Sequence, residues 1–88
     1  MRHYFANVPR LGNVAISRHA QDRCREDGIT EAEVTAALYD GELTPDGPAA
    51  TWAERNGVRL VILNHPEPFR GAKLVITIYR VEGQAVAQ

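Results

Sequence analysis

The stretch ISRHAQDRCREDGITEAEV, residues 16–34, sets two helices end to end and so decides the fold. Ser17 is a good N-cap, and Arg18 to Asp27 can follow as a helix. Gly28 is its natural stop, because glycine takes a left-handed conformation that a side chain resists. Ile29 then packs back on the helix it follows. Thr30 restarts the helix, and TEAE is a capping box in which Thr30 and Glu33 each satisfy the other's free backbone N–H. Val34, Ala37 and Leu38 form an i, i+3, i+4 apolar stripe, and Gly41 ends the second helix.

Upstream, HYFANV is ambiguous: it has strand-like residues, but Pro9 and Gly12 follow closely and chain ends are often loosely held. Downstream, GELTPDGPA reads as a loop, with two prolines and two glycines in nine residues. ATWAER and VRLVILN flank Asn56-Gly57, a strong hairpin signal. HPEPFRGA, with His65, is a proline-rich loop, and KLVITIYRV is the last strand. Simple alternation places Leu74, Ile76 and Ile78 on one face and Val75, Thr77 and Tyr79 on the other. Both faces are largely apolar, which suits a central strand. The expected fold is α+β: two N-terminal helices packed on a twisted antiparallel sheet of three to four strands.

Eighty-eight residues are one domain, expected over 1–88 with its core in 14–81 and flexible ends at 1–10 and 83–88. No apolar run approaches the roughly 18 residues that cross a bilayer. The N-terminus lacks the apolar block of a signal peptide. One cysteine, Cys24, allows no internal disulfide, so a cytoplasmic location is expected. No spaced histidine or cysteine pair suggests a metal site and no glycine-rich phosphate loop is present, so no cofactor is expected. The net charge of −1 conceals a basic–acidic–basic order. Residues 26–54 hold eight acids and no lysine or arginine before Arg55, while the flanks are arginine-rich. If the basic ends meet, one face becomes positive and another negative.

His19 and Arg23 lie one helical turn apart on one face, beside a core-facing edge formed by Ala20 and Cys24. Histidine moves protons near neutral pH and arginine stabilises developing negative charge. RNA cleavage by its own 2′-hydroxyl needs both capabilities and no metal. The competing reading is a solvated helix face with Arg23 paired to Asp22, Glu26 or Asp27. Arg18 at the helix start, Arg59 and Arg80 are candidate phosphate contacts, and Trp52 and Tyr79 can stack a base.

ISRHAQDRCREDGITEAEV, with GVRLVILN and KLVITIYR, resembles a small bacterial and phage family reading S-x-H-A-x-x-R-x-x-E-R-G-I-[ST]-x-x-[ED]-V, then strands ending V-T-V-Y. That family is grouped with RelE-like toxins of the barnase–EndoU–colicin–RelE ribonuclease superfamily. The resemblance spans about residues 14 to 81. It implies two helices followed by a twisted antiparallel sheet, and metal-independent RNA cleavage. It places the family's histidine at His19, its arginine at Arg23 and its strand threonine at Thr77. One departure is Glu26-Asp27-Gly28-Ile29, where an acid replaces the arginine of E-R-G-I.

Three functions are expected to compete. The first is a toxin-type ribonuclease of a mobile element, acting on RNA or the ribosome and held by a cognate antitoxin, with His19, Arg23 and Thr77 catalytic. The second is a non-catalytic phage- or plasmid-encoded inhibitor of a host defence complex, such as an anti-CRISPR. It would bind a nucleic-acid-processing partner through Glu31, Glu33 and Asp40. The third is a homodimer or larger oligomer built by pairing an uncovered edge strand.

Overall fold

The computed structural model describes residues 1–64 and 71–81. The chain runs β1 (Tyr4–Val8), β2 (Gly12–Ile16), α1 (Arg18–Asp27), α2 (Glu31–Asp40), β3 (Glu42–Asp46), β4 (Ala50–Arg55), β5 (Val58–Leu63) and β6 (Lys73–Arg80). Ser17 and Thr30 cap the helices as their side chains suggest, and the Thr30–Glu33 capping box is closed in both directions. Gly28 takes the left-handed conformation after α1, at φ 67°. Asn56 and Gly57, at φ 52° and 80°, make the β4–β5 turn, where positive φ at both central residues matches the strand twist.

The sheet corrects the expected architecture. It has six strands in the order β1-β2-β6-β5-β4-β3, and it is mixed, because β2 pairs with β6 in parallel. The helices are therefore not N-terminal: a hairpin precedes them. Within residues 1–10, β1 pairs with β2 and buries Phe5 completely. Asn7, at φ 55°, lies in an irregular stretch of β1 between Phe5 and Val8. That irregularity turns two residues three apart onto the same core face and hides the strand's period. GELTPDGPA also contains a strand, β3, which pairs with β4 at the sheet's edge. Pro45 is tolerated there because an edge strand has one side without a ladder partner. The expected loop at His65 and the tail 83–88 lie outside the described residues.

Both helices cover one face of the sheet. Ala20 and Cys24 of α1 and Val34, Ala37 and Leu38 of α2 meet Val14, Ile16, Ala53, Val58, Leu60, Ile62, Val75 and Ile78 in one core. The faces of β6 differ from simple alternation. Val61 pairs with Thr77 but Ile62 with Val75, so Ile76 is an extra, bulged residue. The bulge puts Val75 and Ile78, three apart, on the buried side.

Two glycines are required for different reasons. Gly28 has open space around a Cβ but a left-handed backbone; Gly41 has an extended backbone at φ −73°, but a Cβ would sit 2.3 Å from the Ala37 carbonyl oxygen. Gly28→Ala should cost about 1–2 kcal/mol through backbone strain. Gly41→Ala should cost more, about 2–3 kcal/mol, because backbone must move. Urea unfolding of the two variants checks that order.

Candidate functional site

The site arises from a length mismatch between neighbouring strands. β2 pairs with β6 only through Val14–Lys73, Ala15–Leu74 and Ile16–Val75, and then the chain leaves the sheet. Ser17 makes the departure. Its N–H donates to the Val75 carbonyl at 3.0 Å, and its hydroxyl donates to the Ile76 carbonyl at 3.3 Å. The same oxygen accepts the Ala20 N–H at 3.1 Å and so starts α1. From Ile76 onward β6 has no β2 partner, and α1 lies alongside it instead.

An open groove of about 580 Å³ results, lined by Arg23 and Asp27 of α1 and by Tyr79, Arg80 and Val81. Of the residues singled out in the sequence as candidate contacts, the groove brings together Arg23, Tyr79 and Arg80. His19 is exposed on the first turn of α1, one turn before Arg23, and does not line the groove itself. Arg18 is exposed beside it. Thr77 is half-buried opposite Val61 and is also outside the lining.

The two groove arginines are held differently. Arg23 pairs within its own helix, to Asp27 at 3.3 Å and Glu26 at 3.7 Å, with 39% of its side chain exposed. Such exposed pairs contribute only about 0.2–1 kcal/mol, so an incoming anion can displace them. Arg80 is a clasp. It donates to the Gly28 carbonyl at 3.1 Å, the Asp27 carbonyl at 3.4 Å and both Glu33 carboxylate oxygens. It thereby caps the negative end of α1 and ties β6 to the start of α2. Its expected part as a phosphate contact is thus subordinate to a structural one.

Arg59 is likewise engaged. It pairs with Glu54 at 2.9 Å, donates to the Tyr79 hydroxyl oxygen at 3.1 Å, and lies 4.0 Å from the Trp52 ring centroid. Burial opposes its charge, but the Tyr79 and Glu54 hydrogen bonds outweigh burial and raise its pKa. Cys24 is buried against the core; burial, with Asp27 and Glu33 adding, pushes its thiol up and away from thiolate chemistry.

The acidic candidates are spread out rather than clustered. Glu31 is exposed and accepts the Arg2 N–H at 3.0 Å, Glu33 is occupied by Thr30 and Arg80, and Asp40 is exposed at the end of α2. Among the described residues, no group of three or more histidine, cysteine or acidic side chains is placed to hold a metal ion, and no helix is long and apolar enough to cross a membrane. Of the lining residues, Val81 is not singled out in the sequence, Asp27 only as a pairing partner of Arg23, and Tyr79 only as a stacking ring. The available signal was the five residues of β2 set against the eight of β6.

The Thr30 backbone N–H, then Arg80, hold the Glu33 carboxyl below its ordinary value of 4.5. A carboxylate with a lowered pKa in the folded state stabilises above its unfolded value and loses that contribution as pH falls. Glu33→Gln should therefore destabilise the protein at neutral pH, with the difference shrinking as pH drops below 4.5. Denaturant midpoints for both proteins across that range check it.

A comparison with family models matches residues 16–80 to a family described as a domain of unknown function (DUF4258). No curated protein and no solved structure matches the chain.

Proposed function

The chain belongs to the DUF4258 family, and from its own residues we propose that it binds single-stranded RNA and cleaves it without a metal. The observation that carries this reading is the groove where Arg23, Tyr79 and Arg80 meet, beside the turn of α1 that presents His19. The resemblance of the His19–Arg23 segment to RelE-like toxins supports it too. A toxin of that kind would be held in check by a neutralising partner protein.

In this reading, a phosphodiester enters the groove and takes Arg23 from its weak pairs with Asp27 and Glu26. The His19 imidazole removes the proton of the adjacent 2′-hydroxyl. The 2′-oxygen bonds to phosphorus and the bond to the 5′-oxygen breaks. The products are a 2′,3′-cyclic phosphate and a 5′-hydroxyl, protonated by the imidazolium or by water. Arg23 stabilises the extra negative charge on the phosphoryl oxygens in the transition state. Thr77 has no step here, because the described groove does not include it.

The acidic-segment reading finds less support. Arg80 engages Glu33, and the Arg55 guanidinium caps the carbonyl of Asp40, so cations of the same chain already sit among the acids that a basic partner would need.

Purified protein should release 2′,3′-cyclic phosphate ends from single-stranded RNA, alone or on ribosomes. His19→Ala should slow this about 10²–10⁴-fold while leaving the unfolding midpoint near that of the wild type. Arg23→Ala should slow it about 10²–10³-fold. No cleavage by the wild-type protein, or equal rates for His19→Ala, overturns the proposal.

A further inference from the structure

The sheet has a second face, opposite the helices, that no described element covers. The pairing register lays it out in rows. Trp52, Val61 and Thr77 form one row, Glu54, Arg59 and Tyr79 the next, and Leu63 and Leu74 lie beyond. Each of these side chains is partly exposed, whereas their chain neighbours Ala53, Leu60, Ile62 and Ile78 are fully buried on the helical side. The face is thus half-buried and mixes aromatic and aliphatic side chains with the Glu54–Arg59 pair, and no described element lies over it.

We propose that this face, centred on Trp52, Arg59 and Tyr79, is a base-stacking platform that leads single-stranded RNA into the α1–β6 groove. The proposal rests on RNA being the ligand of that groove and deepens that reading by naming how the strand is held. Three planar groups lie together: the Arg59 guanidinium is 4.0 Å from the Trp52 ring centroid and 5.7 Å from that of Tyr79. Glu54 and the Tyr79 hydroxyl fix the guanidinium from two sides, so it is presented as a rigid plane. Nucleobases stack on aromatic rings and on guanidinium planes, and every base has such a face, so the selection is for unpaired strands rather than for sequence.

Continuity with the groove favours nucleic acid over a protein partner. Tyr79 belongs to both places: it bonds Arg59 on the platform and lines the groove with Arg23. Trp52 stands two strands from β6, about 10 Å at ordinary strand spacing. A strand stacked there has its phosphates beside Arg59 and continues toward Arg23. Duplex RNA keeps its bases inside the helix and cannot stack this way.

Trp52 is the single tryptophan of the chain, so its fluorescence reports this face alone. Binding is measured in the His19→Ala protein, where the proposed cleavage is off. A short single-stranded oligoribonucleotide should quench Trp52 emission saturably, and the same sequence as a duplex should not. Polarisation of a labelled strand should show affinity falling about 5- to 140-fold in Trp52→Ala. Trp52→Phe, which keeps a ring and a folded sheet, should lose less. Absent quenching by single strands, equal quenching by duplex, or unchanged affinity in a folded Trp52→Ala protein overturns the platform. Cleavage by a wild-type protein whose Trp52 ignores RNA overturns the platform and leaves the ribonuclease reading standing. Quenching without cleavage sustains the platform and removes the catalysis.

Discussion

Ser17 makes three hydrogen bonds from which the molecule's layout follows, besides the ordinary helical bond from the Gln21 N–H to its carbonyl. Its N–H and hydroxyl donate to the carbonyls of Val75 and Ile76, and its oxygen accepts the Ala20 N–H. The first two bonds stop β2 against the bulge in β6; the third converts the departing chain into a helix within one residue. A longer β2 would have sealed the far half of β6 with a ladder of backbone bonds. Because β2 stops here, α1 takes the neighbouring position with side chains instead of backbone. The space between them is the groove lined by Arg23, Asp27, Tyr79, Arg80 and Val81. A hydroxyl at this position is thus the local cause of both the helix register, which sets His19 and Arg23 on one flank, and the groove that Arg23 enters.

Electrostatics are distributed by the same topology. Basic segments flank an acidic one along the chain, but the folded protein interleaves them rather than separating two faces. Arg10 donates to the carbonyls of Tyr39 and Gly41, Arg55 to that of Asp40, and Arg80 to those of Asp27 and Gly28. Each guanidinium sits where a helix ends and its carbonyls lack partners, the place where positive charge is most useful. The acidic middle segment carries α2 yet supplies no cation for its end, so arginines arrive from the turn after β1 and from β4. Much of the chain's positive charge is consequently structural. Arg18, Arg23 and His19 remain toward solvent along α1, which is why the candidate chemistry concentrates there.

Local signals along the chain were legible where the physics is local. Ser17, Gly28, Thr30, Glu33 and Gly41 mark both helices, and Asn56-Gly57 marks the hairpin, because caps and tight turns depend on residues within three or four positions of one another. The sheet was not legible for the converse reason. Phe5 and Val8 are both buried only because β1 is irregular between them, and Val75 and Ile78 only because Ile76 bulges. Those irregularities belong to the pairing of β1 with β2 and of β6 with β5, and break the period that a single strand's residues would show. Pro45 suggested a loop because the edge position that makes it tolerable is a tertiary fact. Helical spacing set His19 and Arg23 on one flank of α1 but said nothing of Tyr79, which lines the groove because β6 runs on past the end of its pairing with β2. Arg59 and Arg80 were legible as candidate phosphate contacts in a strand pattern, but not as a stacked group and a clasp, since Glu54, Trp52, Gly28 and Glu33 meet them only in the folded sheet.

The most direct test of this account is a backbone amide NMR titration of the folded protein with a short single-stranded RNA. If the break between β2 and β6 forms the binding groove, the amides that shift lie in Ser17–Asp27 and Thr77–Val81, with Arg59 and Trp52 following. Shifts confined to Glu31–Asp46, on the acidic helix and the edge strand, would contradict it.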